Sequence, residues 1–462
     1  MKAKRFFSAV MALTMVMGMA SCGENAKSET NNADDRVRFA APSGAFTNGC
    51  DKAEAEAKEM TEAAAEDAEA GGEKKAFAAE EGISGEMALA DDGGAGEVFY
   101  DIEPEIEEPI APEKNSPETE LPAAGQLTAG VWNDNNNWSF FANLVNSEAI
   151  SFPSFSIDPR DRMAITLKGE DGEVIANAKV KLISADGKPL WSAVTDRKGR
   201  AYLFSYGTAA DKVEVQFGGE TQTFDVDMKN SSGDEQSSSK VTDNSAELVF
   251  SGKNGDKGTA DAQIMFIVDT TGSMCDELLF LQCEFASLVR EVGSEGIEYA
   301  VNFYRDEGDD YVTKCMDFTS DVDVLTSTLM SETSDGGGDI PEAVGTVMQE
   351  SITYNSSWKQ DTVKIAFMIF DAPPHDEDSD KVESAVRAAA EKGIRLIPIV
   401  SSNSARETEL FGRAAAITTG GDYVFLTDDS GIGDSHLDPI VGDYEVEKLY
   451  DAIIRLINDY RS

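Results

Sequence analysis

Residues 264–277, IMFIVDTTGSMCDE, run five apolar side chains into Asp269, Thr270, Thr271, Gly272 and Ser273. A second apolar run, VKIAFMIF, ends at Asp371. A third stretch, SDGGGDIPEA, sets Asp339 beside glycines and just ahead of Pro341, with Glu342 following. Carboxylates and hydroxyls are hard oxygen donors, suited to Mg²⁺, Mn²⁺ or Ca²⁺. Asp269, Thr271 and Ser273 stand at i, i+2 and i+4, and in a tight strand-to-helix turn such positions can face one centre. Hydroxyl ligands leave a dication's charge partly unneutralised, so an open position could accept a carboxylate from a partner. The plain alternative is helix capping, with Thr271 or Ser273 at the N-cap and Asp269 merely favourable near a helix N-terminus. On this fragment alone the two readings weigh about equally. Asp339 and Asp371 tip the balance to a metal site, provided a fold gathers all three segments.

The elements from Asp261 onward supply such a fold. Strands are expected at 262–268, 297–304, 311–318, 363–369, 394–400 and 422–426. Helices are expected at 276–292, 321–331, 340–354, 378–392, 404–419 and 445–459. The continuous apolar runs VKIAFMIF and IRLIPIV suit central strands covered on both faces. Strands alternating with helices point to an α/β doubly wound, mainly parallel sheet. Ligands of such sheets gather at the carboxyl ends of the strands, where Asp269 and Asp371 fall.

DTTGS, with its D-x-[ST]-x-S spacing, resembles the signature of von Willebrand factor type A domains, and the resemblance covers nearly all of 261–462. It implies a metal-ion-dependent adhesion site. Asp269, Thr271 and Ser273 would form its first part and Asp371 its third. Asp339 occupies the second-loop position, where the family usually has Thr, and Glu342 is the nearby alternative. The implied cofactor is a divalent metal, Mg²⁺ first and Mn²⁺ or Ca²⁺ next. The implied partner is a protein, engaged through an acidic side chain that completes the metal site.

The rest of the 462-residue chain divides by composition. Net charge is −47, and residues 22–125 carry 27 acids against 8 bases. That segment is rich in Ala, Glu and Gly and cannot bury enough surface to offset chain entropy, so a disordered acidic linker is expected. Residues 126–160 bring Trp132, Trp138, Phe140 and Phe141 and are expected as an aromatic connecting segment packed on a folded neighbour. Residues 161–228 alternate apolar and polar positions between turn signals such as Asp171-Gly172, Asp186-Gly187 and Lys198-Gly199. This stretch resembles the carboxypeptidase regulatory-like β-sandwich. Residues 229–260, opening with KNSSGDEQSSSK, are expected as a linker.

At the N-terminus, Lys2, Lys4 and Arg5 precede a short apolar run from Phe6 to Met19. The run is too short to span a bilayer and has the layout of a signal peptide, residues 1–21. Ala20-Ser21-Cys22 resembles a bacterial lipobox, which implies cleavage before Cys22 and lipidation of its thiol. The expected location is therefore the cell envelope, lipid-anchored to a membrane. Among the other cysteines, Cys275 and Cys283 lie eight apart on one expected helix, about 12 Å along its axis and too far for a mutual disulfide. Both are expected as buried apolar residues.

A strongly acidic surface repels phosphate backbones, so nucleic acid is excluded as a partner. No Walker A, G-x-G-x-x-G or G-x-S-x-G pattern occurs, so neither nucleotide binding nor serine hydrolysis finds support. A phosphohydrolase with Asp269 as phosphoryl acceptor would want a second acid two residues on, where Thr271 stands. His375 is expected as a solvated loop residue, and His436 carries no assigned role. The expectation is a non-enzymatic, metal-dependent binding lipoprotein; a structural spacer stabilised by its metal is the alternative. Wild type should take up radiolabelled palmitate and Cys22→Ser should not. Continued labelling of that variant would exclude the lipobox.

Overall fold

The computed structural model describes residues 124–228, 241–338 and 340–462. The expected signal peptide, Cys22, nearly all of the acidic linker, residues 229–240 and Asp339 lie outside these described residues. The chain enters through β1 (Thr128–Trp132) and α1 (Trp138–Asn146). A β-rich stretch follows: β2 (Asp161–Gly169), β3 (Lys179–Ser184), β4 (Pro189–Val194), β5 (Arg200–Phe204), β6 (Ala210–Phe217), β7 (Glu220–Asp225) and β8 (Thr242–Phe250). The α/β portion contains β9 (Ala262–Asp269), α2 (Cys275–Val292), β10 (Ile297–Tyr304), β11 (Thr313–Cys315), α3 (Val322–Ser331) and α4 (Val344–Met348). It continues with β12 (Val363–Phe370), α5 (Ser379–Lys392), β13 (Ile394–Val400), α6 (Arg406–Thr419), β14 (Tyr423–Leu426), β15 (Val446–Lys448) and α7 (Leu449–Arg461).

The α/β sheet has eight strands in the order β11-β10-β9-β12-β13-β14-β1-β15. Strands β10, β9, β12, β13 and β14 run parallel, while β11, β1 and β15 pair antiparallel with their neighbours. Every residue of β9 is buried, because helices cover both of its faces. Alternation along the strand sorts its side chains. Ile264, Phe266 and Val268 join a cluster with Leu278 and Phe285 of α2, Leu325 of α3 and Ile453 of α7. Met265 and Ile267 join the opposite cluster, with Val347 of α4, Val386 of α5 and Phe411 of α6.

That second cluster does not stop at the helices. It runs on through Trp191, Tyr202 and Phe204 into the β-rich portion, whose strands form a three-stranded sheet, β5-β2-β8, and a four-stranded sheet, β4-β3-β6-β7. Polar contacts seal the same seam. Arg387 of α5 donates to the Leu190 carbonyl at 2.9 Å and its guanidinium lies 4.7 Å from the Trp191 ring centroid. Arg395 of β13 donates to the Val194 carbonyl at 3.1 Å. The β-rich portion is therefore mounted on the α/β portion through a shared core.

Two boundaries differ from the sequence expectation. The aromatic segment 126–160 does more than pack, since β1 is a strand of the α/β sheet, inserted between β14 and β15. Gly130 permits this, because a Cβ there would stand 2.3 Å from the Phe425 ring. The incoming chain is held by Glu284 of α2, whose carboxylate accepts the N–H groups of Gly125, Gln126 and Leu127 at 2.7, 2.9 and 3.3 Å. The second difference is in 229–260, where residues 242–250 form β8, paired in parallel with β2. Asn244, Leu248 and Phe250 are buried between exposed neighbours, a period-two signal that the polar run before it obscures.

Just after β1, Asp134 meets Arg413 of α6 in a fully buried pair, with Nη2 2.7 Å and Nε 2.9 Å from the carboxylate oxygens. The Trp132 indole donates to the same carboxylate at 2.9 Å. Asp134→Ala would leave part of a buried guanidinium uncompensated and should cost about 3 kcal/mol or more in urea unfolding. A loss below about 1 kcal/mol would mean that Glu409, the other acid on Arg413, suffices.

Candidate metal centre

The topology brings the predicted strand ends together. β9 and β12 are parallel neighbours with Val268 opposite Ile369, so Asp269 and Asp371 emerge side by side at the carboxyl edge. This is also where the sheet order reverses, β10 lying on one side of β9 and β12 on the other. Asp269 and Thr271 are fully buried, Asp371 is 7 % exposed, and Ser273 is exposed.

The capping alternative is not realised. A short 3-10 turn, Gly272–Met274, leads into α2, and neither Thr271 nor Met274, the two N-cap residues, makes a side-chain capping bond. Instead Thr271 donates to Asp269 Oδ1 through both its N–H, at 2.9 Å, and its hydroxyl, at 2.7 Å. The hydroxyls of Thr271 and Ser273 lie 3.1 Å apart. Asp269 Oδ1 is thus occupied, while Asp269 Oδ2 and Asp371 Oδ1 are buried without a hydrogen-bond partner. Buried carboxylate oxygens with nothing to bond are costly unless a cation or proton meets them.

Their titration follows. Burial pushes the Asp269 carboxyl up to about 6, against the pull of the Thr271 N–H and hydroxyl and of the buried Tyr304 hydroxyl beside it. Burial and then the Asp269 charge hold Asp371 well above its ordinary range, with the Ser273 hydroxyl drawing it partly back. Among the described residues no group of three or more His, Cys, Asp or Glu side chains is gathered closely enough to hold a metal ion. A centre here therefore depends on hydroxyls beside the two carboxylates. The orphaned oxygens, the paired hydroxyls and the exposure of Ser273 fit a hard divalent cation.

The second loop approaches as expected, although Asp339 itself lies outside the described residues. Gly272 donates to the Gly336 carbonyl and Asp335 to the Thr270 carbonyl, both at 3.1 Å. Helix α4 starts at Val344, later than the expected 340, so Pro341 is not in its first turn. Glu342 is drawn aside by donating its N–H to the Pro373 carbonyl at 3.1 Å.

Several residues around the site went unassigned or mistaken in the sequence. Asp309 Oδ2 accepts N–H bonds from Gly337 at 2.9 Å and Asp306 at 3.0 Å, tying the loop after β10 to the glycine loop. Gly336 must be glycine there, since a Cβ would stand 2.4 Å from the Asp309 carboxylate. His375 is not simply solvated: its Nε2 lies 2.7 Å from Asp306 Oδ1. His436, to which the sequence assigned no role, has its side chain 3 % exposed between Glu277 at 2.7 Å and Asp428 at 2.9 Å. The acids of YRDEGDDY were the available signal for the first group; nothing local marks His436 as a partner of α2. Cys283 is buried and free as expected, but Cys275 is half-buried and disulfide-bonded. Its place at the first position of α2, near the surface, separates it from the core face that holds Cys283.

Residues 263–432 match the family model of the von Willebrand factor A domain, a domain commonly involved in protein–protein interaction and metal binding. The match begins in β9 and covers the loops that carry Asp269, Thr271, Ser273 and Asp371; β1, β15 and α7 lie beyond it. No curated protein matches the chain.

A carboxyl raised in the folded state stabilises the fold below its unfolded pKa, and that contribution is lost as pH rises through the folded pKa. For Asp269 the loss falls between about 4 and about 6. In chelator, Tm should therefore carry an Asp269-dependent decrease from about pH 4 to about pH 7, which Asp269→Asn flattens. Divalent cation should offset that decrease in wild type. Superimposable pH profiles for wild type and variant would remove Asp269 from this account.

Proposed function

We propose that this chain is a cell-envelope lipoprotein, held to a bacterial membrane by a lipid on Cys22, whose C-terminal domain binds a protein partner through a divalent cation. The observation that carries the reading is the pair of orphaned buried oxygens on Asp269 and Asp371, set beside the Thr271 and Ser273 hydroxyls at an edge open to solvent. Asp269 and Asp371 would balance the cation's charge, and Thr271 and Ser273 would supply hydroxyl oxygens. Thr271 is already oriented by its two bonds to Asp269. When bound, the cation supplies the Lewis acidity that draws in a partner's oxygen, best an acidic side chain. Mg²⁺ is the first choice, with Mn²⁺ and Ca²⁺ served by the same hard donors.

The β-rich portion, whose sequence resembles the carboxypeptidase regulatory-like sandwich, would act as a rigid mount. Among the described residues no helix is long and apolar enough to cross a membrane. Attachment in this reading falls to Cys22. Full-length protein immobilised by its C-terminus and exposed to envelope extract should retain a partner in Mg²⁺ and release it in chelator. Asp269→Ala should fail to retain it at all. Retention indifferent to both chelator and variant would leave the domain as a spacer whose cation serves stability alone.

A further inference from the structure

We infer that a cavity between the β-rich and α/β portions binds an acidic sugar, a pyranose unit carrying a carboxylate. It encloses about 840 Å³, a size that suits small-ligand sites. Its walls are the start of β3, the β6–β7 turn, the loop before β12 and the end of α5. Lys364, the second residue of β12, lines it, whereas Asp371 follows the other end of that strand. The cavity thus lies at the amino edge of the sheet, away from the candidate metal centre.

The lysines on its wall call for an anion. Lys364 is 3 % exposed, and its Nζ donates to the carbonyls of Gln360 at 2.9 Å and Thr362 at 3.2 Å. Lys392, half-buried, donates to the carbonyls of Ile352, Thr353 and Asn355 at 2.5, 3.2 and 3.2 Å. Among the described residues neither ammonium pairs with a carboxylate, although the chain carries a net charge of −47. Carbonyls satisfy N–H groups without neutralising charge, and a buried charge lacking a counterion is costly. An ammonium has three N–H donors, so Lys364 keeps one unspent. Burial and then the Arg395 charge draw Lys364 down to about 8, with Asp361 opposing. Burial also lowers Lys392, against the Glu391 charge. Lys179 adds an exposed ammonium with no ion pair among the described residues, whereas Lys359 is taken by Glu298 at 2.7 Å. The acids of the wall, Asp256, Asp361 and Glu391, are exposed, where water and salt screen them.

The rest of the wall selects among anions. Gln216, Asn355 and Gln360 bring side-chain amides, which donate to and accept from hydroxyls. Phe217 from the β-rich side and Trp358 from the α/β side bring ring surface for the C–H face of a pyranose. The Trp358 indole N–H is already spent on the Ser351 carbonyl at 2.9 Å, which leaves its ring for packing. A bare phosphate or acetate would use the lysines and leave the amides, the rings and most of the volume idle.

The test is isothermal titration of the full chain with D-glucuronate and D-galacturonate, beside glucose, galactose and inorganic phosphate. At least one uronate should saturate at millimolar concentration, about tenfold or more tightly than its neutral counterpart. Lys364→Gln keeps a donor for the carbonyls but loses the charge, and it should weaken that binding about tenfold. Lys179→Gln, at an exposed position, should weaken it about threefold without lowering Tm. Wild-type affinity should fall as pH rises through about 8, where free Lys364 loses its proton, and Lys364→Gln should flatten that fall. If Lys364→Gln does not fold, Lys179→Gln and the wild-type pH profile decide. Asp269→Ala should bind the uronate as wild type does. Saturation by neither uronate overturns the proposal, as does a neutral sugar bound equally well. Phosphate bound as tightly as the uronate overturns the sugar assignment. Unchanged affinity in both lysine variants, or loss in Asp269→Ala, removes the site from this cavity.

Discussion

Asp269, Asp371 and Glu342 are buried at the carboxyl edge of a parallel sheet; burial is the leading influence on each, and the Asp269 charge comes next on the other two. Desolvation alone disfavours each charge, and mutual repulsion adds to it. A chain left to itself would splay such an edge open. Here the loops are cross-tied instead. Asp309 binds the glycine loop to the loop after β10, the Thr270 hydroxyl lies 2.6 Å from that of Tyr311, and Glu342 is fixed to the segment after β12. His436, lodged between Glu277 and Asp428, fastens the loop after β14 to the start of α2. These ties hold three buried acids at one edge.

The scaffold that resists this repulsion is a sheet packed on both faces. One cluster, under α2, α3 and α7, belongs to the α/β portion and includes Leu127 and Ala129 at β1. The other continues into the β-rich portion. Because that seam is made of core side chains and of arginines bonded to strand carbonyls, the two portions share stability. A substitution at Trp191 or Arg387 is thereby a perturbation of α5, the helix that follows the loop bearing Asp371 and His375.

Most α/β strands and helices were legible in the sequence, but of the expected strand 311–318 only Thr313–Cys315 forms, and the expected helix 445–459 opens with the strand β15 before α7 begins at Leu449. Their signals are local: continuous apolar runs for β9, β12 and β13, and helical periodicity between them. The placement of Asp269, Thr271, Ser273 and Asp371 at one sheet edge was legible for a different reason, since a strand end in a doubly wound sheet has a known place. The misses share a cause in long-range pairing. Strand β1 is short, and its partners lie some 300 residues away, as with Ala129 opposite Leu426. β8 was hidden by the polar run before it. His436 finds Glu277 across 159 positions, and no local pattern could announce that. Helix α4 began late because Glu342 bonds to Pro373 rather than to the turn that local preference favoured.

Strand β1 also sets where tension on the chain would be borne. The polypeptide enters the fold at Gly125, held by Glu284, and passes directly into a strand flanked on both sides by antiparallel partners. A pull from the N-terminal direction along that strand loads its hydrogen bonds to β14 and β15 together, in shear, instead of peeling them one at a time. Across the sheet, β14 passes that load to β13 and β12, the strand that ends beside Asp371.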